Sequence, residues 1–286
     1  MNDNFFRKGV KLLLWGGICC GLLSWTTCAD KPEAPATDGR FTTLDEQATG
    51  IDFVNQLQES TSLNIIEYLY YYNGGGVAIG DINNDGLEDI YFTANQGSDK
   101  LYLNKGKLQF EDITEQAGIQ TDATWSSGVV MEDINGDGYL DIHVCKVGVG
   151  RMPDAHNLVY INQGDGTFRE MAEPLGLAFR GYATQAAFLD YDQDGDLDMY
   201  LLNHNVHSVR SYGSTRLRSL TDSVAGDRFY ENRLNEAEQS FVEVTQAAGI
   251  YSSPLGYGLA VACADLNGDG WTDIYVGNDF HENDYL

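Results

Sequence analysis

Basic residues are scarce in this sequence: 17 Lys and Arg stand against 43 Asp and Glu, a formal net charge of −26. So acidic a chain repels nucleic-acid phosphates, which excludes that class of partner. Cysteine is scarce too, and three of the five (Cys19, Cys20, Cys28) fall within the first 28 residues. From the other two, Cys145 and Cys263, no disulfide framework can be read, and both are expected as buried free thiols. Catalytic signatures are missing: there is no Gly-x-Ser-x-Gly, no His-Glu-x-x-His and no phosphate-binding loop. Gly74-Gly75-Gly76 precedes an apolar strand run rather than a helix, so it does not read as a dinucleotide site. No apolar run is long enough for a comfortable membrane span.

The amino terminus has the pattern of an export signal. Arg7, Lys8 and Lys11 precede an uncharged stretch from Leu12 to Thr27, and Cys28 follows at once. A positive segment, a short apolar segment and a terminal Cys read as a lipoprotein-type signal peptide over residues 1–28, with Cys28 lipidated. Trp25 and Thr27 depart from that pattern, and plain secretion or a retained anchor are the alternatives. The expected location is an outer-membrane or cell-surface lipoprotein, otherwise a secreted or periplasmic protein. Residues 29–40 are small, polar and contain two prolines, which suits a flexible tether to a folded domain over 41–286.

Within that domain one cadence occurs four times. Asp81, Asn83, Asp85 and Asp89 place side-chain oxygens at positions 1, 3, 5 and 9 of a loop with Gly86 at position 6. Asp133, Asn135, Asp137, Asp141 and Gly138 repeat it, as do Asp190, Asp192, Asp194, Asp198 and Gly195. The fourth copy is Asp265, Asn267, Asp269, Asp273 and Gly270. A hard cation takes six to eight oxygens, and Gly at position 6 permits the sharp turn, so about four Ca²⁺ sites are expected. Position 7 (Leu87, Tyr139, Asp196, Trp271) is expected to offer its backbone carbonyl. Without a cation, carboxylates clustered this closely repel by several kcal/mol even at an effective dielectric of about 20. The alternative is a plain hairpin tip that holds no metal.

The flanks decide the fold. An EF-hand needs Glu at position 12 and helices on both sides, but position 12 is Phe92, Val144, Leu201 or Val276. Asp-Ile-Tyr-Phe, Asp-Ile-His-Val, Asp-Met-Tyr-Leu and Asp-Ile-Tyr-Val follow the loops, and short apolar runs precede them. Each loop is therefore a turn between two strands. A second landmark recurs in phase: a Phe (41, 110, 168, 241) opens a segment that closes in Gly-Ile or Gly-Leu. Successive loops begin 52, 57 and 75 residues apart, at Asp81, Asp133, Asp190 and Asp265. With further strand runs such as Leu101-Tyr-Leu-Asn104 between them, each repeat holds about four short strands, the pattern of propeller blades.

These loops, the Asn73-Gly-Gly-Gly-Val-Ala-Ile-Gly-Asp81 entry and the Leu-Tyr-x-Asn and Ala-Gly-Ile pieces resemble the FG-GAP/VCBS repeats. That family forms integrin-α-like β-propellers, and bacterial cartilage-acidic-protein-like lipoproteins are the members most similar in pattern. The resemblance implies that the loop carboxylates bind Ca²⁺. It also implies an all-β propeller of four-stranded blades, usually seven, of which about four are present here as a fragment. Gly74-Gly75-Gly76 then suits a close backbone approach near the axis.

Two segments stand outside the repeat. Tyr68, Tyr70, Tyr71 and Tyr72 end the first insertion; they can pack the propeller or offer a stacking platform, and packing is expected. The longest insertion gathers His204, His207, Arg210, Tyr212, Arg216 and Arg218, a basic and aromatic loop in an acidic protein that could receive an anionic glycan or acidic partner. His143, His156 and His281 are read as structural. The expectation is a calcium-binding scaffold for an extracellular protein or glycan, touching membrane only through its lipid anchor. Membership in a larger polysaccharide-processing enzyme is the alternative.

Overall fold

The computed structural model describes residues 41–150, 152–205, 215–279 and 282–286. The expected signal peptide, tether and Cys28 lie outside the described residues, as do His207, Arg210, Tyr212 and His281. Leu44–Leu286 form one compact unit.

The unit is all-β apart from a short helix α1 (Glu46–Thr49) and a 3-10 turn at Thr215–Ser219. β1 (Val77–Gly80), β2 (Asp89–Phe92), β3 (Lys100–Asn104) and β4 (Phe110–Asp112) make the first four-stranded sheet. β5 (Trp125–Glu132), β6 (Asp141–Val147), β7 (Leu158–Asn162) and β8 (Phe168–Glu170) make the second. β9 (Ala183–Leu189), β10 (Asp198–Asn203), β11 (Arg228–Arg233) and β12 (Ser240–Glu243) make the third. β13 (Gly258–Ala264) and β14 (Asp273–Asn278) form a two-stranded fourth sheet. Every pairing is an antiparallel meander, with short connections between most paired strands and a long insertion between β10 and β11. The fourth repeat thus holds a hairpin, in keeping with the expected propeller fragment, and the sheets do not close into a ring.

The first strands of consecutive sheets lie side by side in the order β1, β5, β9, β13. The expected close approach at the glycine run is present: Gly76 N donates to Ser127 O at 2.7 Å. Adjacent sheets sandwich apolar side chains. Ile82, Tyr91, Leu101, Ile142, Val144 and Tyr160 fill the space between the first and second sheets. Ile134, Cys145, Val159, Met199, Leu201 and Phe241 fill the next. Burying one such aliphatic or aromatic side chain is worth about 1.5–3 kcal/mol, so the sandwich rather than any single sheet holds the fold. On the two outer sheets the apolar side chains stay exposed, Val77 at 54% and Ile79 at 62% on β1 and Leu259 and Tyr275 on β13 and β14.

The Phe landmarks lie in the outermost strands β4, β8 and β12, but Phe41 is exposed and in no strand. The Gly that closes each of the first three landmarks abuts the following Phe strand. Ala117 O accepts from Phe168 N at 2.8 Å, and Leu175 O accepts from Phe241 N at 2.9 Å. The aromatic insertion packs as expected: Tyr68, Tyr70 and Tyr71 are buried with Trp125, Val147 and Tyr257, leaving Tyr72 exposed. Cys145 is a buried free thiol, whereas Cys263 is free but only half-buried. Among the described residues no helix is long and apolar enough to cross a membrane.

Candidate metal centre

All four acidic loops are the tight turns that join first to second strands. Their backbone is set by the side chains that sequence marks as ligands. In the first loop Asp81 Oδ1 accepts from Asp85 N at 3.0 Å and Oδ2 from Gly86 N at 2.7 Å. Asn83 Oδ1 also accepts from Asp85 N, and Asp85 Oδ1 accepts from Leu87 N at 2.9 Å. Asp133, Asn135 and Asp137 reproduce these bonds, and so do Asp265, Asn267 and Asp269. The chain turns inward because Gly86, Gly138, Gly195 and Gly270 adopt φ between 84° and 96°, a region closed to most side chains.

The third loop carries Asp192 where the others carry Asn. Asp190, Asp192 and Asp194 bring one oxygen each within 4.8 Å of one another, the only so tight group of three His, Cys, Asp or Glu among the described residues. Calcium–oxygen distances of about 2.3–2.6 Å put ligands on opposite sides of an ion at about that span, and an all-oxygen donor set suits a hard cation. The residues at positions 1, 3 and 5 therefore fit Ca²⁺. The neighbouring Asp196 carboxyl is pushed up to about 6 by burial and by the charge of Asp194.

Position 9 behaves differently. Asp89, Asp141 and Asp198 are buried and belong to no such group. Each accepts two backbone N–H bonds: Asp141 Oδ2 from Ile134 N at 3.1 Å and Oδ1 from Asn162 N at 2.8 Å. Asp89 takes Ile82 N and Asn104 N, and Asp198 takes Tyr191 N and Asn232 N. Burial raises all three, Asp141 to about 7 and Asp198 to about 6, against the lowering effect of those N–H groups. Each carboxylate oxygen has two lone pairs, so the N–H bonds leave coordinating capacity.

The structure also shows a polar landmark that the cadence did not reveal. Asp99 Oδ1 accepts from Ala94 N at 2.8 Å, and its Oδ2 accepts from the Tyr91 hydroxyl at 3.2 Å. Asp227 does the same for Asn203 N and Tyr200, both at 2.8 Å, and Asp284 for Asn278 N and Tyr275. In the second repeat Asn157 and His143 stand at these two places: Asn157 Oδ1 accepts from Lys146 N at 2.8 Å, but Asn157 Nδ2 and His143 Nε2 are buried with no hydrogen-bond partner among the described residues. His143 is fully buried and its imidazole is pushed down to about 4 by desolvation, so it stays neutral. The signal was present: Asp99, Asn157 and Asp227 each stand three residues before a buried Tyr (102, 160, 230).

The loop expected to receive a ligand divides. His204 is fully buried, stacks on Tyr70 at 4.1 Å and meets the Tyr68 hydroxyl at 2.8 Å. That corrects its place in an exposed basic loop: it directly follows β10 and packs against Tyr68 and Tyr70 of the aromatic insertion and against Tyr182. Desolvation pushes it down to about 4, so it carries no positive charge at neutral pH. Arg218 is exposed and pairs with Glu282 at 3.2 Å. The side chain of Arg216 lies outside the described residues. A cavity of about 220 Å³ adjoins His204, Tyr68, Tyr70 and Tyr182.

A family model for the FG-GAP-like repeat matches residues 81–144 and 148–201, and one for the FG-GAP repeat matches residues 257–285. Together the matches take in all four acidic hairpin turns, and the chain belongs to the FG-GAP repeat proteins. It is 26% identical over 249 residues to cartilage acidic protein 1 of Xenopus tropicalis, covering 82% of this chain and 33% of that protein. Human cartilage acidic protein 1 is 26% identical over 208 residues, which cover 73% and 28%. Integrin alpha-8 of Gallus gallus is 28% identical over 151 residues, covering 47% and 14%. The chain thus spans a third or less of the length of these relatives.

Proposed function

We propose that this chain is an exported, calcium-loaded propeller scaffold that binds an extracellular protein or glycan and performs no catalysis. The observation that carries the reading is the convergence of Asp190, Asp192 and Asp194 within 4.8 Å on a turn whose cadence recurs in every repeat. In each loop, positions 1, 3, 5 and 9 would hold the ion through side-chain oxygens and position 7 through its carbonyl. The bound ion supplies positive charge that offsets the clustered carboxylates and locks the turn between two strands. The names of the similar proteins, a cartilage protein and an integrin chain, favour an extracellular setting.

Calcium then stabilises the fold by mass action. At a free concentration of about 100 times Kd each site adds about 2.7 kcal/mol, so chelation lowers the melting temperature steeply. An identical melting curve with and without chelator rejects the calcium reading. Cys28 is proposed as the lipidated residue: Cys28→Ser moves the exported protein from the membrane fraction to the soluble one, and unchanged partitioning counts against it. The partner is sought with glycan and protein arrays probed by the calcium-loaded chain, where signals that vanish on chelation support a scaffold.

A further inference from the structure

The third-strand asparagines do more than cap their own loops. Asn162 N donates to Asp141 Oδ1 in the second loop, while its side-chain Nδ2 reaches back to Ile82 O in the first loop at 2.8 Å. Ile82 N in turn donates to Asp89 Oδ2 at 3.0 Å. The position-9 carboxylates of loops one and two are therefore tied by a string of three hydrogen bonds linked through the covalent frames of Ile82 and Asn162. The string continues. Ile134 N donates to Asp141 Oδ2, Asn232 Nδ2 donates to Ile134 O at 3.3 Å, and Asn232 N donates to Asp198 Oδ1 at 2.8 Å. All seven residues, from Asp89 through Ile82, Asn162, Asp141, Ile134 and Asn232 to Asp198, are less than 5% exposed.

Each tie passes through the covalent frame of a buried, close-packed residue, and so dense an interior transmits a displacement from one carboxylate to the next. In the fourth loop Leu266 N likewise donates to Asp273 Oδ2 at 2.9 Å. Its tie to the third loop is one exposed contact, Gln193 Nε2 to Gly270 O at 2.7 Å. A like contact, Asn84 Nδ2 to Gly138 O at 3.0 Å, adds a second link between loops one and two.

We propose that this buried string couples the cation loops of the first three repeats, so that filling one tightens its neighbours. The inference rests on the calcium reading above and adds the regulation of those sites.

Built-in reporters make it testable. The position-6 amides of Gly86, Gly138, Gly195 and Gly270 each donate to the first carboxylate of their own loop, so each senses its own ion. The chain is labelled with ¹⁵N-glycine, stripped with chelator and titrated with Ca²⁺ while the four resonances are followed. Asp137→Ala empties the second loop through a residue outside the string. It is expected to weaken calcium binding at loops one and three by about fivefold or more. With Asn162→Leu and Asn84→Ala in addition, Asp137→Ala loses its effect on loop one and keeps it on loop three. Should Asn162→Leu fail to fold, the Asp137→Ala titration decides alone. If loops one and three keep their affinities in Asp137→Ala, the coupling is wrong although calcium binds. If no glycine amide responds to Ca²⁺, the calcium reading falls and the coupling with it.

Discussion

The second repeat and the fourth hairpin carry nearly the same nine residues and meet very different surroundings. Asp133-Ile-Asn-Gly-Asp-Gly-Tyr-Leu-Asp141 and Asp265-Leu-Asn-Gly-Asp-Gly-Trp-Thr-Asp273 fold into turns with matching internal hydrogen bonds. Yet Ile134 at position 2 is 1% exposed and Leu266 is 59% exposed. The whole of β6 is buried, whereas β14 buries only Val276 fully. Local turn chemistry is thus independent of position, while the energy that holds the turn in place comes from the sheets on either side.

The largest expected difference lies in the strands. Ile142 and Ile274 occupy the same place after their loops, but Ile142 is sandwiched between sheets and Ile274 is partly open. Ile142→Ala is expected to cost about 3–4 kcal/mol and Ile274→Ala about 1 kcal/mol, read from urea unfolding at saturating calcium. Equal costs would erase the distinction between inner and outer repeats.

A pH series sharpens the same contrast with Asp227 and Asp284, which play one role in the third and fourth repeats. Burial pushes Asp227 up to about 7, so the folded state holds a proton that the unfolded chain releases above about 4. Its contribution to stability is complete below about pH 4 and is lost as the pH rises to 7, with a slope of up to about 1.4 kcal/mol per pH unit. Asp284 is exposed, and the Tyr275 hydroxyl, followed by Asn278 N–H, holds its carboxyl below the ordinary range. Its contribution is present above the ordinary carboxyl pKa and fades as the pH falls below it. Asp227→Asn should therefore flatten the dependence between pH 4 and 7, and Asp284→Asn should alter it only in more acid solution. Matching pH profiles for the two variants would contradict the assignment.

The smallest effect concerns Gly176 and Gly249, which close the same turn at φ of 74° and 75°. A Cβ on Gly176 would meet Phe241 O at 2.7 Å, while one on Gly249 meets nothing within 4 Å. Both Ala variants pay about 1 kcal/mol for the left-handed backbone, and Gly176→Ala adds a further amount for the clash. Chemical denaturation of the two resolves it; a Gly249→Ala variant as unstable as Gly176→Ala would mean that the open turn is covered in solution.

Much of the design was legible in the chain. The turn between two strands followed from oxygens at positions 1, 3, 5 and 9 with Gly at 6, because that cadence fixes its own backbone through side chains two to five residues away. Strand pairing followed as well, since alternating apolar runs linked by tight turns can only meander. What the residues could not disclose is which neighbours each blade acquires. Asn162 and Asn232 look like ordinary strand-ending residues until packing sets their amides against carbonyls 80 and 98 residues away. His204 read as part of a basic loop because the loop follows it in the chain, but the aromatic insertion buries it. Short-range geometry is written in spacing; burial, and with it the charge state of Asp141, Asp227 and His204, depends on which surfaces meet when sheets stack, and only the tertiary structure decided that.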